Sequence, residues 1–112
     1  MKIYHNPRCS KSRQTLNLIK ENGVEPEIVL YLKTPPTKEE LQILIKQLTI
    51  QPSQLLRKGE KIYKEQFKGK EMAEEDWIDI MIAHPKLIER PIVVKDGKAV
   101  LGRPPENVLD LM

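Results

Sequence analysis

Cys9 is the residue of this chain best suited to nucleophilic chemistry, and it is the only cysteine among 112 residues. It stands in Lys2-Ile3-Tyr4-His5-Asn6-Pro7-Arg8-Cys9-Ser10-Lys11-Ser12-Arg13, after a strand-like start and a proline-containing loop, where a helix should begin. A helix N-terminus presents unpaired N–H groups and a partial positive charge, which favour a thiolate and bind anions. A lone cysteine in a small domain is more often a buried apolar side chain. The flanking His5, Arg8, Lys11 and Arg13 instead give this one electropositive neighbours. An unperturbed thiol, of pKa about 8.5, is only ~3% thiolate at neutral pH. A helix N-terminus contributes up to ~1–2 kcal/mol, so nearby cations must supply part of the activation. Arginine is used sparingly: Arg8, Arg13, Arg57, Arg90 and Arg103 stand against 19 basic residues in all. Lysine does the routine surface work, and arginine is the better choice where a planar fork must grip an oxyanion. Arg90 and Arg103 each directly precede a proline.

These residues need elements to hold them. Lys2 to Tyr4 reads as a short strand, Ser12 to Asn22 as a helix with Leu16, Leu18 and Ile19 on one side and Gly23 as its stop, and Glu27 to Leu32 as a second strand. That is a βαβ unit with a parallel pair. Thr37 is the expected N-cap of a helix over Lys38 to Leu48, with Glu40 in the capping-box position. A helical turn follows from Pro52 or Ser53 to Leu56, a short helix falls within Lys58 to Lys70, and Ala73 to Ala83 carries apolar spacing at Trp77, Ile78, Ile80, Met81 and Ile82. His84-Pro85 closes that run, with His84 read as a C-terminal cap rather than a catalytic group. Trp77, Met81 and Met72 read as packing. Arg90-Pro91-Ile92-Val93-Val94-Lys95 and Lys98-Ala99-Val100-Leu101 flank Asp96-Gly97, a hairpin signal of type I′. Pro104-Pro105 starts a last helix through Leu111. The order is βαβ, a helical insert over about 35–83, then ββα. This is the thioredoxin-like α/β order, with a four-stranded mixed sheet, in one domain over 1–112. Such an arrangement brings Cys9 to face Arg90-Pro91, and a cis bond at Pro91 would hold that loop close; a proline that merely opens an edge strand is the alternative.

His5-Asn6-Pro7-Arg8-Cys9, Ser12-Arg13, Tyr31-Leu32, Leu55-Leu56-Arg57-Lys58, His84-Pro85, Ile88-Glu89-Arg90-Pro91-Ile92-Val93 and Arg103-Pro104 closely resemble, in the same order, the glutaredoxin-coupled arsenate reductase (ArsC) family. The resemblance implies that Cys9 is the nucleophile, that His5 helps favour its thiolate, and that Arg57, Arg90 and Arg103 hold the arsenate and the covalent arsenic intermediate. Ser10 and Ser12 fall in the anion-binding loop, and Pro91 is structural at the site. Arg8 and Arg13 are not carried over as ligands. One departure stands out: the resistance enzymes have Gly-Thr between the cysteine and the serine, where this chain has Ser10-Lys11. That pattern is what a housekeeping branch, with weak arsenate activity or another substrate, would carry. The implied reaction is thiol-dependent reduction of arsenate to arsenite, with glutathione as co-substrate, glutaredoxin as partner and no bound cofactor.

Composition narrows the alternatives. A net charge of +3 with interspersed signs suits a solvated surface better than a nucleic-acid groove, which needs a clustered stripe. One cysteine allows no internal disulfide and suits a reducing cytosol. No apolar run approaches membrane-spanning length or follows the start as a targeting segment would, so a cytoplasmic protein, read as a monomer, is expected. Two histidines and one cysteine make a zinc site an unsuitable reading. Two other functions stay open. An Spx-like regulator binding RNA polymerase would share the fold, but Cys9-Ser10-Lys11-Ser12 lacks the second cysteine of its switch. A monothiol glutaredoxin-like transferase would use Cys9 on glutathione disulfides without needing three arginines.

Overall fold

The computed structural model describes all of residues 1–112, in two compact units: Met1–Thr34 with Arg90–Met112, and Pro35–Glu89.

The first unit is built on a four-stranded mixed sheet. The strands are β1 (Lys2–Tyr4), β2 (Glu27–Val29), β3 (Ile92–Lys95) and β4 (Lys98–Leu101), in the order β2-β1-β3-β4. β1 runs parallel to β2, with Ile3 opposite Ile28, and antiparallel to β3, with Ile3 opposite Val93. β3 and β4 form the expected hairpin. Asp96 and Gly97 both have positive φ, 51° and 79°, as a type I′ turn requires. Ile3 and Val93 are fully buried, with Ile19 of helix α1 (Ser10–Glu21) and Val108 of a C-terminal 3-10 helix (Pro105–Leu111). A parallel pair needs a crossover, and α1 supplies it. The result is a thioredoxin-like fold.

The main differences from the sequence reading are two element boundaries and one helix type. β2 ends at Val29 rather than Leu32, because the Leu30 carbonyl accepts from the N–H groups of Lys33 and Thr34, both at 2.9 Å, and turns the chain away from the ladder. α1 begins at Ser10 rather than Ser12, since the Arg13 N–H already bonds the Cys9 carbonyl at 3.0 Å. The last helix is 3-10, and its end bonds are i→i+3: Asn107 N–H to Pro104 and Met112 N–H to Leu109.

Gly102, after β4, fixes the spacing between α1 and the chain leading to Arg103. Its N–H bonds the Pro91 carbonyl at 2.9 Å, and its carbonyl accepts from the Thr15 hydroxyl at 3.2 Å. A Cβ there would lie 2.5 Å from Thr15 Oγ1 and 2.8 Å from Pro91 Cγ. Thr15 cannot yield freely, because it is fully buried and also bonds the Lys11 carbonyl. Gly102→Ala is therefore expected to cost about 1–3 kcal/mol in denaturant unfolding, the range for overpacking a filled site. Stability equal to wild type would mean the contact relaxes without strain.

The second unit is helical: α2 (Lys38–Leu48), a 3-10 turn (Pro52–Leu55), α3 (Lys61–Gln66), α4 (Glu74–Ala83) and a 3-10 turn (Pro85–Leu87). The Thr37 hydroxyl accepts from the Glu40 N–H at 3.2 Å, the expected cap of α2, which contributes about 1 kcal/mol. α2 and α4 pack together, and Leu41, Leu44, Ile45, Trp77, Ile78 and Met81 are buried. The Trp77 ring lies 6.2 Å from Tyr63 and 6.3 Å from Phe67. His84 caps α4 through its N–H to Ile80. A bridge between Leu56 and Ile88 closes the unit, with Arg57 N–H bonding Leu87 and Glu89 N–H bonding Leu55, each at 2.8 Å.

Candidate active site

Cys9 is the N-cap of α1, in extended backbone (φ −91°, ψ 122°), which sets its side chain at the open end of the helix. The loop before it is held by its own groups. The Cys9 N–H bonds the Asn6 carbonyl at 3.0 Å, the Arg8 N–H bonds Asn6 Oδ1 at 3.1 Å, and Arg13 Nη1 donates to the Pro7 carbonyl at 2.8 Å. Arg13 thus staples the loop instead of facing a ligand.

The electrostatics of Cys9 set two effects against each other. Burial pushes its thiol up. The Ser12 N–H, the Arg90 guanidinium (by hydrogen bond and by charge) and the Lys11 N–H together outweigh it, so the thiol lies below its ordinary value. These donors are the open end of the helix and one arginine. Arg103 Nη1 lies 3.9 Å from Cys9 Sγ and 3.5 Å from the Arg90 carbonyl. Arg90 and Arg103 come together because they flank the open end of the β3–β4 hairpin, one before β3 and one after β4. Pro91 between them is buried, and both the Arg90–Pro91 and Arg103–Pro104 bonds are cis.

His5 has a different part from the one its residue type suggests. It is buried, 5% exposed. Burial first, and the charges of Arg13 and Lys20 next, hold its pKa below 6.5. It is therefore neutral at pH 7 and brings no positive charge to the thiolate. Its Nδ1 lies 2.6 Å from Ser12 Oγ, which also accepts from the Asn6 N–H at 3.1 Å. A neutral ring protonated at Nε2 satisfies all three groups, with the hydroxyl donating to Nδ1. His5 thus anchors Ser12, whose backbone N–H reaches Cys9.

The same bonds occupy the Ser12 side chain. Its hydroxyl is fully buried and engaged by His5 and Asn6, so only its N–H is turned toward the cysteine. Ser10, the first residue of α1, is exposed. Arg57 belongs to the helical unit, where its Nη1 pairs with Glu89 Oε1 at 2.7 Å and its Nε with Glu60 Oε1 at 3.4 Å. Glu89 and Glu60 were not singled out from the sequence. Glu89 could have been, as the acid beside Arg90, but its partner is fixed by the Leu56–Ile88 bridge, a pairing across some thirty residues that no local pattern encodes. No group of three or more His, Cys, Asp or Glu side chains comes together to hold a metal ion.

A constellation of one low-pKa thiol, helix N–H groups and two guanidinium groups can attack a tetrahedral oxyanion while neutralising its charge. The thiolate can be read directly. Alkylation of Cys9 by iodoacetamide is expected to show a pH midpoint below the 8.5 of a free thiol. Arg90→Gln is expected to move that midpoint upward, because a thiolate-stabilising charge is lost. An unchanged midpoint would take Arg90 out of the activation.

The chain is similar in sequence and in structure to known proteins. The ArsC family model matches residues 4–111. An Escherichia coli K12 relative, "Uncharacterized protein YfgD", is 55% identical over 100% of this chain and 96% of its own length. An Escherichia coli arsenate reductase is 46% identical over 98% of this chain and 79% of its own. The solved arsenate reductase from Vibrio cholerae superposes with a TM-score of 0.95 at 46% identity, covering 99% of this chain and 96% of that one. With a matched segment that runs from the end of β1 to the last helix and includes Cys9, Arg90 and Arg103, the chain belongs to the ArsC family.

Proposed function

We propose that this protein reduces arsenate to arsenite in a reducing cytosol, as a monomer without a bound cofactor, drawing electrons from glutathione and glutaredoxin. The observation that carries the reading is a thiol with a lowered pKa lying against two arginines at a helix N-terminus. The relatives named arsenate reductase support the same substrate.

In this mechanism the Cys9 thiolate attacks As(V), a sulfur–arsenic bond forms, and an arsenate oxygen leaves as water. Arg90 and Arg103 neutralise the oxyanion. Arg57 is assigned as the third arginine for the oxyanion by its place in the family motif alone. A glutathione thiol then forms a second sulfur–arsenic bond and expels a second water. A glutaredoxin thiolate attacks that glutathione sulfur and forms a mixed disulfide. The electron pair of the broken bond stays on arsenic, which becomes As(III). Hydrolysis of the Cys9–As(III) bond releases arsenite and the thiol. Ser10 and Ser12 contribute N–H groups to the anion loop, and His5 keeps that loop in register. The test is arsenate-dependent NADPH oxidation with the purified protein, glutathione, glutathione reductase and glutaredoxin. Turnover is expected with that set and not with thioredoxin alone; robust turnover with thioredoxin alone would sink the mechanism. Tight binding to RNA polymerase without turnover would point to the regulator reading.

A further inference from the structure

We propose that the groove beside the Cys9 loop is the docking site for free glutathione. The inference rests on the glutathione-dependent reading above and deepens it by assigning the tripeptide a place. The groove, about 330 Å³, lies between the loop before α1 and the turn after β2. One wall carries Pro7 and Arg8, the other Leu30, Leu32 and Lys33. Leu32 is 40% exposed, an apolar surface left open beside the nucleophile's loop.

Charge selects the occupant. Each wall supplies one cation, Arg8 and Lys33, and neither takes part in an ion pair within the protein. No carboxylate lines the groove. By contrast, the groove at α3 carries Glu60 and Glu65, that between α1 and the C-terminal helix carries Glu21 and Glu106, and that along β2 carries Glu27. Glutathione bears two carboxylates, one near each end, one ammonium, and methylene stems between them. It would set its carboxylates on the two walls and its stems on Leu32 and Pro7.

Length selects it as well. A tripeptide spans ~10 Å when extended, and consecutive Cα atoms are about 3.8 Å apart. Cys9 is the residue after Arg8, so the loop that leads to the nucleophile forms one wall of the groove. The volume is at the small end of ligand sites, which begin at about 300 Å³, and so fits a tripeptide better than a protein surface.

The experiment follows amide chemical shifts of the full chain on adding S-methylglutathione, which cannot do redox chemistry. It also measures the KM for glutathione in Arg8→Glu and Lys33→Glu. Shifts are expected at Asn6, Arg8, Leu30, Leu32 and Lys33. Each reversal is expected to raise the KM for glutathione about five-fold, the size of one exposed ion pair, with the KM for arsenate unchanged. Both side chains are exposed, so the variants should fold. Shifts confined to the groove support the proposal even if arsenate is not turned over, in which case only the substrate reading fails. Turnover with no shift at the groove and an unchanged KM in both variants overturns the proposal while leaving arsenate reduction standing. Shifts that occur only with glutaredoxin overturn it too, and give the groove to that protein.

Discussion

Cys9→Ser abolishes arsenate turnover in the coupled assay and leaves the fold intact: this is the largest effect the site predicts. The serine hydroxyl is a far poorer nucleophile at neutral pH than a thiolate, and the chain has no second cysteine to take over. The loss should reach the detection limit. Folding should be no worse and is expected to improve slightly. Cys9 is the N-cap of α1, and serine, which offers a better acceptor to the same helix N–H groups, is among the preferred residues there, worth up to ~1 kcal/mol. Thermal unfolding and turnover measured on one preparation separate the two effects. A stable Cys9→Ser protein that still reduces arsenate would remove the covalent step from the mechanism.

The second large effect belongs to the arginines. Arg90→Lys and Arg103→Lys each keep the charge and still lose most activity, because a point charge does not reproduce a two-pronged grip on an oxyanion. Loss of one such donor costs on the order of 10²–10³ in kcat. The two variants should differ in kind. Arg90 also stabilises the thiolate by a hydrogen bond, so its replacement should alter alkylation as well as turnover. Arg103, whose Nη1 stands 3.9 Å from the sulfur, should affect turnover more than thiolate formation. Steady-state kinetics with both variants decides this; full activity in both would make them ordinary surface arginines.

Most of the fold was legible because its signals are local. Asp96-Gly97 between apolar runs marks the hairpin, Thr37 with Glu40 marks the start of α2, and the apolar spacing from Trp77 to Ile82 marks α4. The end of β2 was not legible. Tyr31 and Leu32 have strand-like character, but the chain leaves the ladder through bonds to the Leu30 carbonyl that composition does not reveal. At the site, Arg103 enters only through the family resemblance, while Cys9 at a helix start facing Arg90-Pro91 follows from spacing and topology. The neutral state of His5 does not, since it comes from burial and from Arg13 and Lys20. Nor does the engagement of the Ser12 hydroxyl, which needs His5 and Asn6 brought to it across a turn. A basic residue type next to a cysteine suggested charge; the folded environment made it a neutral brace.

The β3–β4 hairpin has two ends with opposite duties. At one end Arg90 and Arg103 leave the ladder, and their separation is set by the pairing of Ile92 with Leu101 and by the bond from Gly102 to Pro91. At the other end Asp96 and Gly97 make an exposed turn, four residues of strand away, or ~13 Å at the usual rise. The hairpin therefore works as a pair of tongs whose jaws are gauged by rungs and whose bend lies well clear of them. Variation in the bend leaves the jaw gap alone, while a slip of one rung would turn Val93 out of the core and open the jaws together. Two parts of the chain far apart in sequence thus vary as one, and the tip between them is the natural place to attach a reporter or a tether without touching the chemistry.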